Sequence, residues 1–417
     1  MTIELLQQVR VLDPVAGTDR VVDVLIEAGA IRAVEATITD YPSEAQIQDG
    51  RGLVLGPGLV DLYSHSGEPG SEERETLDSL LQSAAAGGFT RVAVLPDTTP
   101  AIDSPAIVDW LHNSVPRSLP YLHPWAALTV GAQGLQMTEL AELAHSKIVG
   151  FADGKPIANL LLVRRLLEYL RPIQKPVALW AWDIVLAGNG VMREGQESIQ
   201  FGLPGISAIA ETSALAALLE CVAAIGTPVH LMRISTARSV ELLREAKSRG
   251  TPITASVSWM HLLLDSQAIR THNPSLRLNP PLGNQVDRLA LIQGVQDGTI
   301  DAITIDHTPY TYEEKTVAFA EAPPGAIGLE LALPLLWQEF VESGTWTALH
   351  LWRCLSTHPA QCLGWEPKSI APDQASELTL FDPQAVWTVD RASLQSRSLN
   401  TPWLGKTIVG QVVKIWG

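Results

Sequence analysis

From about residue 56 to residue 345, short apolar runs alternate with longer helical stretches. The short runs have the composition of β-strands: RVAVLP, KPVALWAW, TPVHLMRIST, TPITASVS and DAITID. The stretches between them have helical periodicity: SPAIVDWLHNSV, IANLLLVRRLLEYL and SVELLREAKSRG. Alternating strands and helices form parallel βα units, because consecutive parallel strands need a crossover connection. The units are numerous enough to close, so we predict an α/β fold with a (β/α)8 TIM-type barrel over 56–345.

The two ends of the chain have a different pattern. Residues 1–55 contain short alternating apolar runs such as VVDVLIEAGAIRAVEA, and residues 346–417 end in SELTLFDPQAVWTVD and TIVGQVVKIWG. Such runs, bounded by Gly and Asp turns, predict short strands and hairpins. Chain ends are often close together within a domain. We therefore expect 1–55 and 346–417 to form one small composite β-sandwich-like domain beside the barrel.

Charge and cysteine content exclude several classes of function. The chain has 29 Lys and Arg against 45 Asp and Glu, a formal net charge of −16. Nucleic acids and anionic membrane surfaces bind clustered cations, so neither is an expected partner. The start MTIELLQQVR lacks a signal-peptide pattern, and no run reaches the roughly 18 apolar residues of a membrane helix, so we expect a cytoplasmic protein. Three cysteines without a CxxC spacing predict neither a disulfide framework nor a cysteine zinc site.

In a barrel of this kind the chemistry lies where strands end at the carboxyl face. The segment GLVDLYSHSGEPG is a strand that runs into a Gly-rich loop, with Asp61, Tyr63 and His65 near its end. Strand alternation directs all three side chains to the same face. A histidine at position 63 would complete a two-ligand metal clasp with His65, but Tyr63 stands there.

This segment, with the following ETLDSLLQSAAAGGFTRVAVLPDTTPAID, resembles the same region of dihydroorotase, a member of the amidohydrolase superfamily. The resemblance continues through GVMREGQESIQFGLPGISAIAET, LRLNPPLG, FAEAPPGAIGLELALPLL and NTPWLGKTIVGQVV, and so covers nearly the whole chain. It implies an amidohydrolase barrel and a place in pyrimidine biosynthesis. In the family, a metal-bound hydroxide and a proton-shuttling Asp interconvert carbamoyl aspartate and dihydroorotate.

The resemblance also implies that the metal site is degraded. Three of the family's four histidine ligands are replaced, by Tyr63, Trp180 and Arg233. An indole N–H only donates hydrogen bonds, and a guanidinium has no lone pair to offer a metal. The retained positions are His65, Asp153 as the family's bridging carboxylate, and Asp306 as its general base, here vestigial. These three form an incomplete site that binds a metal weakly or not at all, and Arg233 is expected to pair with Asp153 or Asp306 instead.

The positions that hold the substrate carboxylate in the family are replaced as well. Gly67 stands in place of an Arg, Asp97 in place of an Asn, and Tyr310 in place of a His. Gly67 offers no side chain, Tyr310 is neutral, and an anionic Asp97 repels a carboxylate by about 1 kcal/mol even in water. Substrate recognition is therefore predicted to fail independently of the metal.

Without the resemblance, each retained residue has an ordinary structural reading. His65 would be a hydrogen-bonded structural histidine and Asp153 a helix cap, whereas Asp306 has no packing use that demands a carboxylate. We favour a catalytically silent protein without a cofactor, since the chain resembles the silent dihydroorotase-like companions of aspartate carbamoyltransferase. A homo-oligomer is the competing explanation for any exposed apolar patch. The alternative is an active dihydroorotase, or a related hydrolase of hydantoin or allantoin rings, with one zinc ion at His65, Asp153 and Asp306.

Overall fold

A computed structural model describes residues 3–116, 118–372, 374 and 377–417. The chain begins with five strands, as the alternating N-terminal pattern predicts. The first three form consecutive antiparallel pairs, and the fourth and fifth each pair in parallel with the first. These strands are β1 (Ile3–Asp13), β2 (Thr18–Glu27), β3 (Ala30–Glu35), β4 (Gln46–Asp49) and β5 (Val54–Pro57).

The main body is a barrel of eight parallel strands, built from two four-stranded sheets. The first sheet contains β6 (Leu59–Ser64), β7 (Phe89–Val94), β8 (Tyr121–Ala126) and β9 (Gly150–Phe151). After β10 (Ala178–Trp180) comes a separate short pair, β11 (Met192–Arg193) and β12 (Gly205–Ile206). The second sheet contains β10, β13 (Val229–Met232), β14 (Ile253–Ser258) and β15 (Ala302–Thr304).

Backbone contacts join the two sheets at both seams. A parallel bridge between Phe151 and Val177 connects β9 to the chain entering β10. At the other seam, His65 N donates to His307 O at 2.8 Å and Asp306 N donates to Tyr63 O at 3.2 Å. The sheet therefore closes, and the predicted (β/α)8 barrel is confirmed.

Helices follow most barrel strands and cover the outside. The α-helices are α1 (Leu77–Ala86), α2 (Pro105–Ser114), α3 (Leu140–Ala144), α4 (Leu160–Leu170), α5 (Ile184–Ala187), α6 (Gln196–Phe201), α7 (Ile209–Ile225), α8 (Ala237–Ser248), α9 (Trp259–Leu263), α10 (Gln285–Gln296), α11 (Tyr312–Lys315), α12 (Ala332–Leu336), α13 (Ala348–Leu355) and α14 (Thr357–Cys362). Short 3-10 turns occur at Val130–Ala132, Ser266–Thr271 and Pro274–Leu276, and a π-helical segment at Trp337–Glu342. Within the described residues, no helix is long and apolar enough to cross a membrane.

The last strands return to the N-terminal sheet. β16 (Leu378–Thr388) pairs antiparallel with β5 and with β17 (Thr407–Trp416), giving the order β17-β16-β5-β1-β2-β3, with β4 beside β1. Both chain ends thus build one seven-stranded sheet, as predicted. Helices α13 and α14, within the stretch expected to belong to that sheet domain, both contact β6 and β15 of the barrel. α13 also contacts β1 of the sheet, and Trp352 Nε1 donates to Pro57 O of β5 at 2.8 Å. Ala360 of α14 belongs to the same buried cluster as Tyr63, Trp125 and Trp180 from three barrel strands.

Candidate functional site

The predicted site residues gather at the carboxyl ends of the barrel strands. Seven of them line one cavity of about 220 Å³: His65, Gly67, Asp97, Trp180, Arg233, Asp306 and Tyr310. Each comes from the end of a strand or from the loop that follows it, which is where (β/α)8 enzymes place their chemistry. Tyr63 and Asp153 lie outside the lining of this cavity.

The centre of the site is a buried ion pair between Arg233 and Asp306. Arg233 Nε lies 2.8 Å from Asp306 Oδ2 and Nη2 lies 2.7 Å from Oδ1, so the pair is bidentate. The side chains are only 5% and 15% exposed. Burial alone would raise the pKa of Asp306, but the guanidinium outweighs it and holds that pKa well below its usual range. The predicted pairing of Arg233 with Asp306 is confirmed.

Other donors of the guanidinium are also occupied, and two aromatic rings contact it. Arg233 Nη1 donates to the carbonyl of Gly154 at 2.9 Å, and Nη2 lies 2.9 Å from His65 Nε2. Its central carbon lies 4.8 Å from the ring centre of Trp180 and 5.6 Å from that of Tyr63. Such contacts are favourable cation–π geometry. Two of the residues that replace family histidines therefore pack directly around the third.

Tyr63 fixes the backbone on both sides of this ion pair. Its buried hydroxyl accepts a hydrogen bond from Arg233 N at 3.0 Å and lies 2.9 Å from Ser256 Oγ, while its carbonyl accepts from Asp306 N at 3.2 Å. Arg233 and Asp306 both have left-handed backbone conformations, with φ of 57° and 53°. Each such residue costs about 1–2 kcal/mol, so the surrounding contacts must hold it in place.

His65 links the ion pair to Asp97. Its Nδ1 lies 2.7 Å from Asp97 Oδ2. Burial lowers the pKa of His65, but Asp97 and Asp306 outweigh burial and raise that pKa to about 9. When the ring is neutral and its proton is on Nδ1, Nε2 can accept a hydrogen bond from Arg233 Nη2. When the ring is protonated, Nε2 carries a proton and faces Asp306 Oδ1 at 3.5 Å. In either state the ring is held by charged neighbours on both sides.

Asp153 does not line the cavity in which His65 and Asp306 lie. Its carboxylate accepts hydrogen bonds from Thr129 N at 3.0 Å and from Thr129 Oγ1 at 2.5 Å, and burial raises its pKa. The predicted three-residue set of His65, Asp153 and Asp306 is therefore not brought together as a ligand set. The turn after β8 presents two donors to Asp153, one to each carboxylate oxygen, and Asp153 does not line the cavity. The helix-cap reading of Asp153 is also wrong, because Asn159 caps α4.

The residues present do not fit a zinc ion. A metal at the base of this cavity would face the Arg233 guanidinium, which already takes both oxygens of Asp306. Trp180 offers only an indole N–H, which donates hydrogen bonds and does not ligate metals. Among the residues that the structure describes, no group of three His, Cys, Asp or Glu side chains could hold a metal ion.

The three positions that hold the substrate carboxylate in dihydroorotases line the cavity, and none of them carries a cation here. A Cβ atom on Gly67 would lie 2.3 Å from Glu75 O and 2.5 Å from Ser71 O, so no side chain fits at that position without a backbone shift. Burial raises the pKa of Asp97, but His65 outweighs burial and keeps it below its usual value, so Asp97 is anionic. Burial raises the pKa of Tyr310, so this group stays neutral. The wall offers no cation at the three family positions.

Several cavity residues were not predicted from the sequence. Arg74 lines the cavity and donates to Glu314 at 2.5 Å, and Lys155 is exposed at its edge. His261 also lines the cavity, and burial lowers its pKa to about 4. Lys155 follows the Asp153-Gly154 turn, so its place at a strand end was a usable signal. Arg74 lies in a loop without any motif, and nothing in the sequence marked it.

A family model and two relatives that match this chain are dihydroorotases or dihydroorotase-like proteins. A family model described as "Dihydro-orotase-like" matches residues 52–239. A "Probable dihydroorotase-like protein" of Synechocystis sp. is 46% identical over 436 residues, covering 97% of this chain and 98% of the relative. A "Dihydroorotase" of Pelobacter propionicus is 38% identical, covering 98% of this chain and 96% of the relative.

Solved structures show the same fold at much lower identity. The L-hydantoinase (dihydropyrimidinase) from Arthrobacter aurescens has a TM-score of 0.85 at 18% identity, covering 99% of this chain and 94% of that structure. A dihydropyrimidinase from Brevibacillus agri has a TM-score of 0.83 at 17% identity, covering 100% of this chain and 94% of that structure. Identity this low supports a common barrel architecture and carries no information about substrate.

Proposed function

Because the chain belongs to the dihydroorotase-like amidohydrolases, we propose that it is a catalytically silent protein of pyrimidine biosynthesis that acts as a structural partner of aspartate carbamoyltransferase. The observation that carries the proposal of silence is the buried contact of Arg233 with Asp306. The residue that corresponds to the family's general base is bound by a fixed cation of the protein itself.

The replacements at the ligand positions support one another physically. Arg233 supplies the positive charge that Asp306 needs when buried, and Trp180 and Tyr63 contact the guanidinium. Breaking a buried ion pair by removal of one partner costs about 3–5 kcal/mol. A metal ion could bind Asp306 only after displacing Arg233, so this loss of stability would be subtracted from its binding free energy. The site is thus stable without a metal.

The substrate side supports silence by a separate argument. Dihydroorotate and carbamoyl aspartate both carry carboxylates, and Asp97 stands at a position that contacts the carboxylate in the family. The Asp97 carboxylate can only accept hydrogen bonds and already pairs with His65 at 2.7 Å, so it offers the substrate neither a donor nor a cation. The space at Gly67 admits no compensating side chain. Loading a metal would therefore leave substrate binding unrepaired.

An activity assay with a matched variant tests the proposal of silence. The protein is incubated with dihydroorotate at alkaline pH and with carbamoyl aspartate at acidic pH, each with added zinc and beside an active dihydroorotase. We expect no turnover above background. The variant carrying Tyr63→His, Trp180→His and Arg233→His should bind more zinc but gain little activity. Turnover of the unmodified protein near that of the active enzyme contradicts the proposal and favours the metal-dependent alternative.

The partnership needs its own experiment, because its support is the resemblance to silent companion proteins. The chain and aspartate carbamoyltransferase from the same organism are co-expressed and separated by size-exclusion chromatography, and carbamoyltransferase activity is measured with and without this chain. We expect co-elution and a change in activity or thermal stability of the carbamoyltransferase. Separate elution at micromolar concentration, with activity unaffected, contradicts the partnership and leaves the proposal of silence standing.

A further inference from the structure

A second cavity, of about 730 Å³, lies at the other end of the barrel from the candidate site. Its lining includes the residues just before β10, β13 and β14, which are neighbours in the second four-stranded sheet. These residues mark the amino-terminal face of the barrel, whereas barrel enzymes place their chemistry at the carboxyl face. We call this space the amino-face cavity. Its volume falls within the range of about 300–1,000 Å³ that small-molecule sites occupy.

The wall of the amino-face cavity is largely apolar and contains three prolines. The sequence repeats a short pattern where three neighbouring strands start: KPV at β10, TPV at β13 and TPI at β14. The prolines of this pattern, Pro176, Pro228 and Pro252, all line the cavity, together with Leu170. A proline side chain has no rotamer freedom to lose when a ligand packs against it. The wall is therefore a preformed apolar surface.

The buried polar side chains of the cavity already have hydrogen-bond partners. His230 Nδ1 lies 2.9 Å from Thr254 Oγ1, and His230 Nε2 lies 2.9 Å from Ser256 Oγ. Thr227 Oγ1 donates to Leu167 O at 2.7 Å. Burial lowers the pKa of His230 to about 3, so the ring is neutral. These groups offer a ligand no charge, so recognition of a charged ligand depends on other residues of the lining.

Two cations line the cavity, and its described lining contains no Asp or Glu. Arg171, which follows the last residue of α4, is exposed, and Lys175 is half-buried. Neither side chain forms an ion pair with any residue that the structure describes, although Lys175 Nζ donates to Ile148 O at 3.3 Å. The whole chain has a net charge of −16. An anionic group between these two side chains would gain their attraction without repulsion from a carboxylate of the lining.

From these features we propose that the amino-face cavity binds a small organic anion. Its apolar body lies against the proline wall, and its phosphate or carboxylate group lies between Arg171 and Lys175. A guanidinium matches either group with paired hydrogen bonds, and an ammonium adds a point charge. An inorganic anion would leave the apolar wall unused, and a neutral molecule would leave both cations unused. The proposal does not depend on whether the barrel is silent, because the replaced metal positions lie at the opposite face.

Two fluorescent probes with the same apolar body test the site on the full chain. 8-Anilinonaphthalene-1-sulfonate is an organic anion, and N-phenyl-1-naphthylamine is the same body without the sulfonate. The anionic probe should bind more tightly. Arg171→Gln and Lys175→Gln should each weaken it about fivefold, the factor that one charge about 4 Å away contributes in water, and should leave the neutral probe unchanged. Fluorescence titration at low ionic strength gives both dissociation constants.

Three further measurements localise the binding and identify the preferred anion. Arg165→Gln is the matched control, because Arg165 is exposed on the same helix and does not line the cavity, so both probes should bind as before. Gln361→Trp fills part of the cavity from an exposed lining position and should weaken both probes. Competition by millimolar phenyl phosphate and benzoate shows whether the site prefers a phosphate or a carboxylate.

Several results would overturn the proposal, provided that circular dichroism shows each variant to be folded. The two probes could bind equally well, or Arg171→Gln and Lys175→Gln could leave the affinity for the anionic probe unchanged. Arg165→Gln could weaken the anionic probe as much, which would indicate a general effect of charge. Phenyl phosphate and benzoate could both fail to displace it. None of these results bears on turnover or zinc content, so the proposal of catalytic silence is judged separately.

Discussion

Replacing Arg233 by leucine should destabilise the protein far more than removing a surface ion pair. Arg233→Leu leaves the Asp306 carboxylate buried without its bidentate partner and removes the donor to Gly154 O. Losing one partner of a buried pair costs about 3–5 kcal/mol. The unfolding entropy of a 417-residue chain is about 0.9 kcal/mol/K, so the melting temperature should fall by about 3–6 °C.

Two further variants make this prediction specific. Arg238→Leu removes an exposed pair with Glu241, 2.7 Å apart, and should lower the melting temperature by less than about 1 °C. The double variant Arg233→Leu/Asp306→Asn should be more stable than Arg233→Leu alone, because a neutral amide needs no cation. Differential scanning calorimetry with excess chelator measures all three. If Arg233→Leu melts like the surface control, or the double variant is the least stable, Arg233 does not serve as the internal cation of this site.

Three other outcomes follow from the same contacts. Gly67→Arg should lower the melting temperature and restore no activity, because its Cβ would meet Glu75 O at 2.3 Å; a well-folded, active variant contradicts this. Tyr63→Phe should cost about 1–3 kcal/mol, seen in calorimetry, because Arg233 N loses its buried acceptor, and its zinc content should not rise. The protonated form of His65 stabilises the folded protein, because the pKa of His65 is about 9 in the folded state and about 6.5 in the unfolded state. This stabilisation is fully present below pH 6.5 and is lost as the pH rises to about 9. Asp97→Asn should flatten this decline in melting temperature between those pH values, and an unchanged slope would show that Asp97 does not raise the pKa.

The barrel could be predicted because its strands and helices differ strongly in composition and alternate regularly. Two barrel strands were not among the runs identified by their pattern: β9, which has only two residues, and β8, which contains Pro124 within its run YLHPWA. Proline removes a backbone donor and argues against an interior strand, yet this segment pairs with both β7 and β9. The packing of residues 346–363 on the barrel as well as on the terminal sheet could not be predicted, since short helical segments give no indication of which elements they contact.

The site could be predicted only in part, and the difference is whether a charge requirement identifies the partner of a residue. Once the resemblance placed Arg233 beside the retained carboxylates, its pairing with Asp153 or Asp306 could be predicted, because a buried carboxylate without a metal requires another cation. The hydrogen bonds of Asp153 could not, because nothing in the sequence indicates that Thr129, on the loop after β8, lies beside it. Likewise, the exclusion of any side chain at Gly67 depends on the backbone around Glu75, which a single sequence does not locate.

The proposal of silence depends on the Arg233 guanidinium occupying the place of a metal. The most direct test is the zinc content of the unmodified protein, purified after growth with zinc and without chelators, and measured by inductively coupled plasma mass spectrometry against protein concentration. We expect well under one zinc ion per chain, and we expect added zinc to leave the melting temperature unchanged. One or more tightly bound ions per chain, with stabilisation by zinc that Asp306→Asn abolishes, would contradict the proposal.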